Sequence, residues 1–175
     1  MPDWVRSYVY HVERLNYRVG RFAMYLLYVM IAIMVWSMIT KAMRFPAIWT
    51  LEMAQFTLVA YYMLGAPWSL QTDVNVRMDL LYARLPERSR ALTDAFTIFC
   101  LMFYLAVMLY GAFDSTVYSF THDERNPTAW RPVLWPLKTI ITVSFALMLL
   151  QSTTLLLRDL AALRGEVILP PEGKL

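Results

Sequence analysis

The chain has 175 residues, 59% of them hydrophobic and only 17% charged. Soluble domains carry about 25% charged residues, so this composition excludes an ordinary water-soluble fold and points to lipid. The net charge of +3, with no basic run longer than two residues, leaves no footprint for nucleic acid, and the single cysteine, Cys100, excludes disulfides and cysteine-rich metal sites.

Residues 1–21 carry Arg6, Arg14, Arg18 and Arg21, while Trp4, Tyr8, Val12, Leu15 and Val19 recur at three- and four-residue intervals. That spacing lines one helical face and predicts an amphipathic helix lying on the membrane, or running into the first span. Phe22–Thr40 is then 19 residues without a formal charge. At 1.5 Å rise per residue such a run makes roughly 28 Å of helix, close to the ~30 Å hydrocarbon core of a bilayer. It lacks a small-residue cleavage pattern and is expected to remain as the first span. Lys41, Arg44 and Pro46 make a short turn. The second span is expected from Trp49 to Leu70, interrupted by Glu52 and bent by Pro67.

Residues 71–94 form the longest polar connection. Val74, Met78, Leu81 and Leu85 make a narrow stripe there, flanked by Arg77, Arg84 and Arg88. The pattern fits a helix in the interface with its cations reaching lipid phosphates, ended by Pro86. Ala95–Phe113 is a second 19-residue charge-free run, ended by Asp114, and Thr139–Leu157 is a third, closed by Arg158 and Asp159. Trp130 and Trp135 give the last run an aromatic collar, and Lys138 is long enough to snorkel toward head groups. The expected fold is thus an all-α membrane protein. One domain, 1–175, holds four transmembrane helices at about 21–40, 49–70, 93–114 and 136–158, plus amphipathic interfacial helices.

Orientation follows from the basic residues. The N-terminal segment, the 71–94 connection and the tail hold 11 Lys and Arg, against 5 in the other two loops. The positive-inside rule then puts both termini in the cytoplasm. Trp36, Trp49, Trp130 and Trp135 collect at the outer boundary and Trp4 and Trp68 at the inner one, which agrees.

Few residues offer chemistry. Glu52 is the only acid inside an expected span. It is either a coupling or proton site, or the structural partner of a cation at the same depth, with Lys138 first and Lys41 and Arg44 behind it. A Glu52–Lys138 pair would tie the second span to the fourth. His11 and His122 both fall outside the spans, so no pair of imidazoles can clamp a haem between helices. No phosphate loop, nucleophile elbow or HExxH occurs, so no catalytic, cofactor-binding or metal-ligating residue is expected. Ser144 and Thr153 suit helix–helix bonding better than nucleophilic attack. Gly65-x-x-x-Ser69 and Gly111-x-x-x-Ser115 have the spacing that lets helices approach closely. A self-sufficient transporter needs a polar pathway, broken helices and usually a repeat. Here Glu52 and two isolated glutamines, Gln55 and Gln151, are all the spans hold, so they suit a support that packs against a larger partner.

These motifs, in this order, resemble the small membrane subunit of TRAP transporters, the DctQ-type family. They are Trp49-x-x-Glu52, then Gly65, then Val76-Arg77-Met78-Asp79 ahead of Tyr82 to Pro86. The stretch around Glu124, Trp130, Pro132, Trp135-Pro136, Lys138 and Gln151 looks like the fourth-span region of one branch of that family. The resemblance covers most of residues 20–160. Asn75 stands where the family often has His, and Gln55 where it often has Arg, so ion chemistry is not read into either motif.

The resemblance implies a three-part secondary importer in a bacterial inner membrane. A periplasmic binding protein delivers an organic acid, and a large multi-span subunit carries it with Na⁺ by an elevator motion. The small subunit, with no cofactor of its own, braces the fixed part of the large one. Trp49, Glu52, Arg77, Asp79, Trp130, Trp135 and Lys138 are the expected structural and interface residues. Asp123, Glu124, Arg125 and Arg131 are expected to border the binding-protein contact, and Arg77, Arg84 and Arg88 to touch phospholipid. The competing readings are a membrane anchor of a redox or enzyme complex, and a small autonomous proton-coupled exporter using Glu52.

Overall fold

A computed structural model of the chain describes residues 3–45, 47–72 and 87–163. Four helices account for most of them: α1 (Asp3–Ala42), α2 (Trp49–Gln71), α3 (Glu87–Thr121) and α4 (Trp135–Leu163). No strand occurs among the described residues; one isolated antiparallel bridge joins Arg125 to Val133.

The first helix takes the second of its two expected forms, the amphipathic segment running on into the long apolar run. It is one continuous element of 40 residues, or about 60 Å, twice the hydrocarbon thickness. Nothing in residues 3–42 interrupts it, because a lone glycine, Gly20, weakens a helix without breaking it. It ends in a left-handed residue, Arg44 (φ 59°). There Phe45 N–H donates to Thr40 O (3.0 Å) and Arg44 N–H to Lys41 O (3.1 Å), the double closure that satisfies orphan carbonyls at a helix end. The third helix also outruns expectation. It passes Asp114 and stops at Thr121, where Asp123 (φ 46°) turns the chain. The second continues through Pro67 to Gln71.

Two antiparallel hairpins follow from these turns. In the first, Thr50 Oγ1 donates to Ser37 Oγ (3.1 Å) near the turn, and Gly20 meets Trp68 at the far end. In the second, Phe120 and Trp135 pack edge-on across the turn, and Thr116 and Thr142 share a 2.9 Å hydroxyl bond one turn deeper. The hairpins join through α2 and α4, and the first half of α1 also touches α4, so α2 and α4 are the inner pair.

Three of the helices are long and apolar enough to cross a membrane: α1 over Trp4–Ala42, α3 over Phe96–Thr121 and α4 over Trp135–Arg158. The second helix carries Glu52, Gln55, Thr57 and two tyrosines and is not among them. A helix flanked on two sides can hold polar groups that a lipid-facing one cannot.

The distribution of side chains is the reverse of a soluble core. Buried apolar residues are small apart from Leu105 and Leu147, whereas Glu13, Asn16, Thr50, Glu52, Ser119, Ser144, Gln151, Ser152 and Thr154 are all buried. Phe22, Tyr28, Phe99, Phe103, Tyr110 and Phe120 point outward and are more than half exposed. Water would penalise such a surface; hydrocarbon does not, and there helices associate through small residues and interhelical hydrogen bonds.

Candidate functional site

The first half of α1 packs on the second half of α4 through a polar seam. Val5, Val9, Val12, Glu13, Asn16, Gly20 and Ala23, at three- and four-residue intervals apart from the adjacent Val12 and Glu13, form the buried stripe of α1. The set Trp4, Tyr8, Val12, Leu15 and Val19 does not coincide with this stripe: Val12 is buried, but Trp4 is 68% and Leu15 46% exposed. Across the seam Glu13 forms an ion pair with Arg158. Asn16 Nδ2 donates to Gln151 Oε1 (2.6 Å), and the Tyr8 and Thr153 hydroxyls lie 2.9 Å apart. Ser144 and Thr154 donate back to their own helix, to the carbonyls of Ile140 (2.8 Å) and Leu150 (3.2 Å).

Sequence reading missed this seam. It took Arg158 as a charged stop, Gln151 as isolated and Glu52 as the one intramembrane acid, whereas Glu13 is a second buried carboxylate. The signal was available in Glu13 and Asn16, one helical turn apart and in register with Val5, Val9 and Val12.

At the other end of the bundle, residues 122–134 form a compact turn. Glu124 N–H donates to Ser119 O (3.2 Å), Asn126 N–H to Pro132 O (3.0 Å) and Leu134 N–H to Glu124 O (3.1 Å), with Asp123 and Arg131 (φ 50°) in left-handed conformation. Asp123 and Arg125 pair at 2.8 Å on the exposed side. Lys138 pairs with Glu124, and this overturns the expected Glu52–Lys138 tie. Lys138 sits one turn into α4, and the turn brings Glu124 back over the helix start. The hydrogen bond from Lys138 holds the Glu124 carboxyl below its ordinary value. Asp123, Arg125 and Arg131 are exposed and Glu124 half-buried.

Glu52 is 6% exposed, its Oε2 has no hydrogen-bond partner, and it forms no ion pair among the described residues. Thr50, Ala54 and Trp68 share the face of α2 that meets α1; Glu52 lies some 200° round from Thr50 at about 100° per residue, on the side of Ala60 and Pro67. Trp49, Trp130 and Trp135 are each about two-fifths exposed. The expected sites at Arg77, Asp79 and Arg84 lie outside the described residues, as does the side chain of Arg88 in the first turn of α3. His11 bonds Ser7 O (2.7 Å), and His122 stacks on Tyr118. No group of three His, Cys, Asp or Glu able to hold a metal occurs among the described residues.

Within the chain, neither small-residue spacing is where helices meet. A Cβ on Gly65 or Gly111 would meet nothing within 4 Å, whereas one on Gly20 would fall 2.6 Å from Trp68 Cβ. The close helix approach is at Gly20.

Comparison with known sequences gives two findings. Residues 13–162 match the profile of a family described as tripartite ATP-independent periplasmic transporters, DctQ component. The chain is also similar to the isethionate TRAP transporter permease protein DctMQ of Oleidesulfovibrio alaskensis, 29% identical over 115 residues. That alignment takes in 66% of the chain and 17% of the relative, so the chain spans only a small part of the curated protein it matches.

Proposed function

The chain belongs to the DctQ component family of tripartite ATP-independent periplasmic transporters, and from that premise we propose that it is the small membrane subunit that braces a large transport subunit. All four helices cross the bacterial cytoplasmic membrane, α2 shielded by its neighbours, with both termini in the cytoplasm. The large subunit carries the solute with Na⁺ by an elevator motion, and a periplasmic protein delivers it to the outer face. The solute is an organic acid, a class that includes the isethionate named for the relative. The chain itself performs no catalysis and holds no cofactor.

One observation carries this reading. Buried and half-buried polar side chains that could line a solute path are used instead to tie helices together: Glu13 to Arg158, Asn16 to Gln151, Tyr8 to Thr153 and Thr116 to Thr142. A bundle knitted in this way suits a fixed support against which a mobile domain slides. The exposed charges of the 122–134 turn, Asp123, Arg125 and Arg131, give it a surface for the binding protein, while Glu124 is spent on Lys138. Trp49, Trp130 and Trp135 set depth at that face, and Arg77, Arg84 and Arg88 hold it at the other through lipid phosphates.

The test is reconstitution. The tagged chain should co-purify with a large multi-span subunit, and Na⁺-driven uptake in proteoliposomes should require both together with the binding protein. Uptake by the chain alone would instead favour an autonomous carrier, with the unpartnered Glu52 as its proton site.

A further inference from the structure

On the flank of α1 next to the polar seam, Tyr10, Arg14, Tyr17, Arg21 and Met24 follow one another at intervals of four, three, four and three residues. That spacing keeps them on one stripe of the helix. The stripe repeats a unit: the Arg14 guanidinium lies 5.8 Å from the Tyr10 ring centre and donates to its hydroxyl at 3.2 Å, while Arg21 lies 4.7 Å from the Tyr17 ring centre and donates to its hydroxyl. Both arginines are exposed, and neither has a carboxylate partner among the described residues. Each guanidinium carries five donors and spends few of them on tyrosine. Cation–π contact with a neighbouring ring holds it in place ahead of any ligand. Seven residues apart, the two are separated by roughly 10 Å along the helix axis.

The stripe leads into a groove. Beyond Arg21, Gly20 and Met24 of α1 and Tyr61, Tyr62, Gly65 and Trp68 of α2 line a hollow of about 360 Å³. It is predominantly apolar and open on the outward side, where a side chain on Gly65 would meet nothing. Arg21 and Met24, three residues apart, are surface neighbours, so the cationic ladder ends at the mouth of the groove. A row of guanidiniums running into an apolar trough is complementary to an amphiphile with a negative head and a hydrocarbon tail.

We propose that this ladder and groove form a binding site for one anionic glycerophospholipid, its phosphate on Arg14 and Arg21 and an acyl chain laid between α1 and α2. Arginine recognises phosphate by paired N–H donors, and the tyrosines bracket the head-group level as amphipathic rings do. The site is distinct from the lipid contacts proposed for Arg77, Arg84 and Arg88. It requires the chain to be in a membrane but not the identity of its transport partner. A lipid seated there would fill the open side of the first hairpin and fix the depth of α1, whose length alone does not set its position.

The test uses the purified full chain in detergent, titrated with phosphatidylglycerol or phosphatidylcholine and read by native mass spectrometry. Phosphatidylglycerol should be retained preferentially. Arg14→Gln and Arg21→Gln should each lower that preference roughly fivefold, with Arg→Lys variants keeping much of it. Gly65→Leu, which fills the groove, should reduce retention of both lipids while leaving the head-group preference. Circular dichroism of each variant should match the parent, because Arg14 and Arg21 are exposed and a Cβ on Gly65 meets nothing within 4 Å. Equal binding of the two lipids by the parent chain, or an undiminished preference in the Arg14→Gln/Arg21→Gln double variant, would overturn the site. Full lipid retention by Gly65→Leu together with lost co-purification of the large subunit would also overturn it, and would assign the groove to a partner helix.

Discussion

Asn16 in α1 donates a 2.6 Å hydrogen bond to Gln151 in α4, across 135 residues of chain. The pair is fully buried, and each amide keeps one atom, Asn16 Oδ1 and Gln151 Nε2, without a partner. In a hydrocarbon environment the bond matters less for its own strength than for what remains when one member goes. Interhelical hydrogen bonds in membranes average about 0.6 kcal/mol and reach about 1.7, whereas an orphaned buried polar group costs about 1–3 kcal/mol. Asn16→Leu and Gln151→Leu should therefore each destabilise the detergent-solubilised chain by about 1–2 kcal/mol, and the double variant by less than the sum. Thermal unfolding of the four proteins checks this, and strict additivity would show that the bond does not form.

Glu13 and Arg158 raise the stakes in the same seam. The Glu13 side chain is fully buried and that of Arg158 about one-fifth exposed. Removing one member of a buried ion pair leaves an uncompensated charge, at about 3–5 kcal/mol, while replacing both by apolar residues is often neutral. Arg158→Met should therefore loosen the first half of α1, and Glu13→Leu/Arg158→Met should restore it. Protease accessibility of residues 3–20 is a direct readout, with the double variant as protected as the parent.

This seam marks where sequence reading stopped. Charge-free runs at residues 22–40, 95–113 and 139–157 announced the three helices long and apolar enough to cross a membrane, because excluding charge from hydrocarbon is a strong local constraint. The packed face of α1 was not legible in that way. In water the large apolar residues of a helix mark its buried side, but in lipid Trp4 and Leu15 can face outward while Val9, Glu13 and Asn16 pack. The partner of Lys138 was hidden for a different reason. Depth in the membrane suggested Glu52, but the left-handed residues Asp123 and Arg131 fold the turn so that Glu124 arrives first. Conformation at single loop residues is not written in periodicity.

The Glu124–Lys138 pair makes the 122–134 turn sensitive to acid. Its folded carboxyl titrates below the ordinary 4.5, chiefly through the hydrogen bond from Lys138. A depressed carboxylate contributes stability that is present above the unfolded value and is lost as pH falls through the folded one. Amide exchange in residues 122–134 should accordingly be slow and steady above about pH 5.5 once corrected for intrinsic rates, and rise below 4.5. Glu124→Gln should flatten that dependence. If the turn takes part in docking a periplasmic protein, binding should weaken over the same interval in the parent and not in the variant.

The three described glycines should respond in opposite ways to alanine. At Gly20 a Cβ would lie 2.6 Å from Cβ and 2.7 Å from Cγ of Trp68. Those atoms belong to the root of a bulky side chain, so the clash can be relieved only by parting α1 from α2. Gly20→Ala should cost about 1–3 kcal/mol, as overpacking does. At Gly65 and Gly111 the added methyl meets open space. Alanine there removes glycine's helix penalty and should stabilise the isolated chain slightly, by up to about 1 kcal/mol. Thermal melts of the three variants separate these expectations. Co-purification adds a second reading, because a Gly111→Ala chain that is more stable alone yet poorer at retaining the large subunit would place that partner against α3.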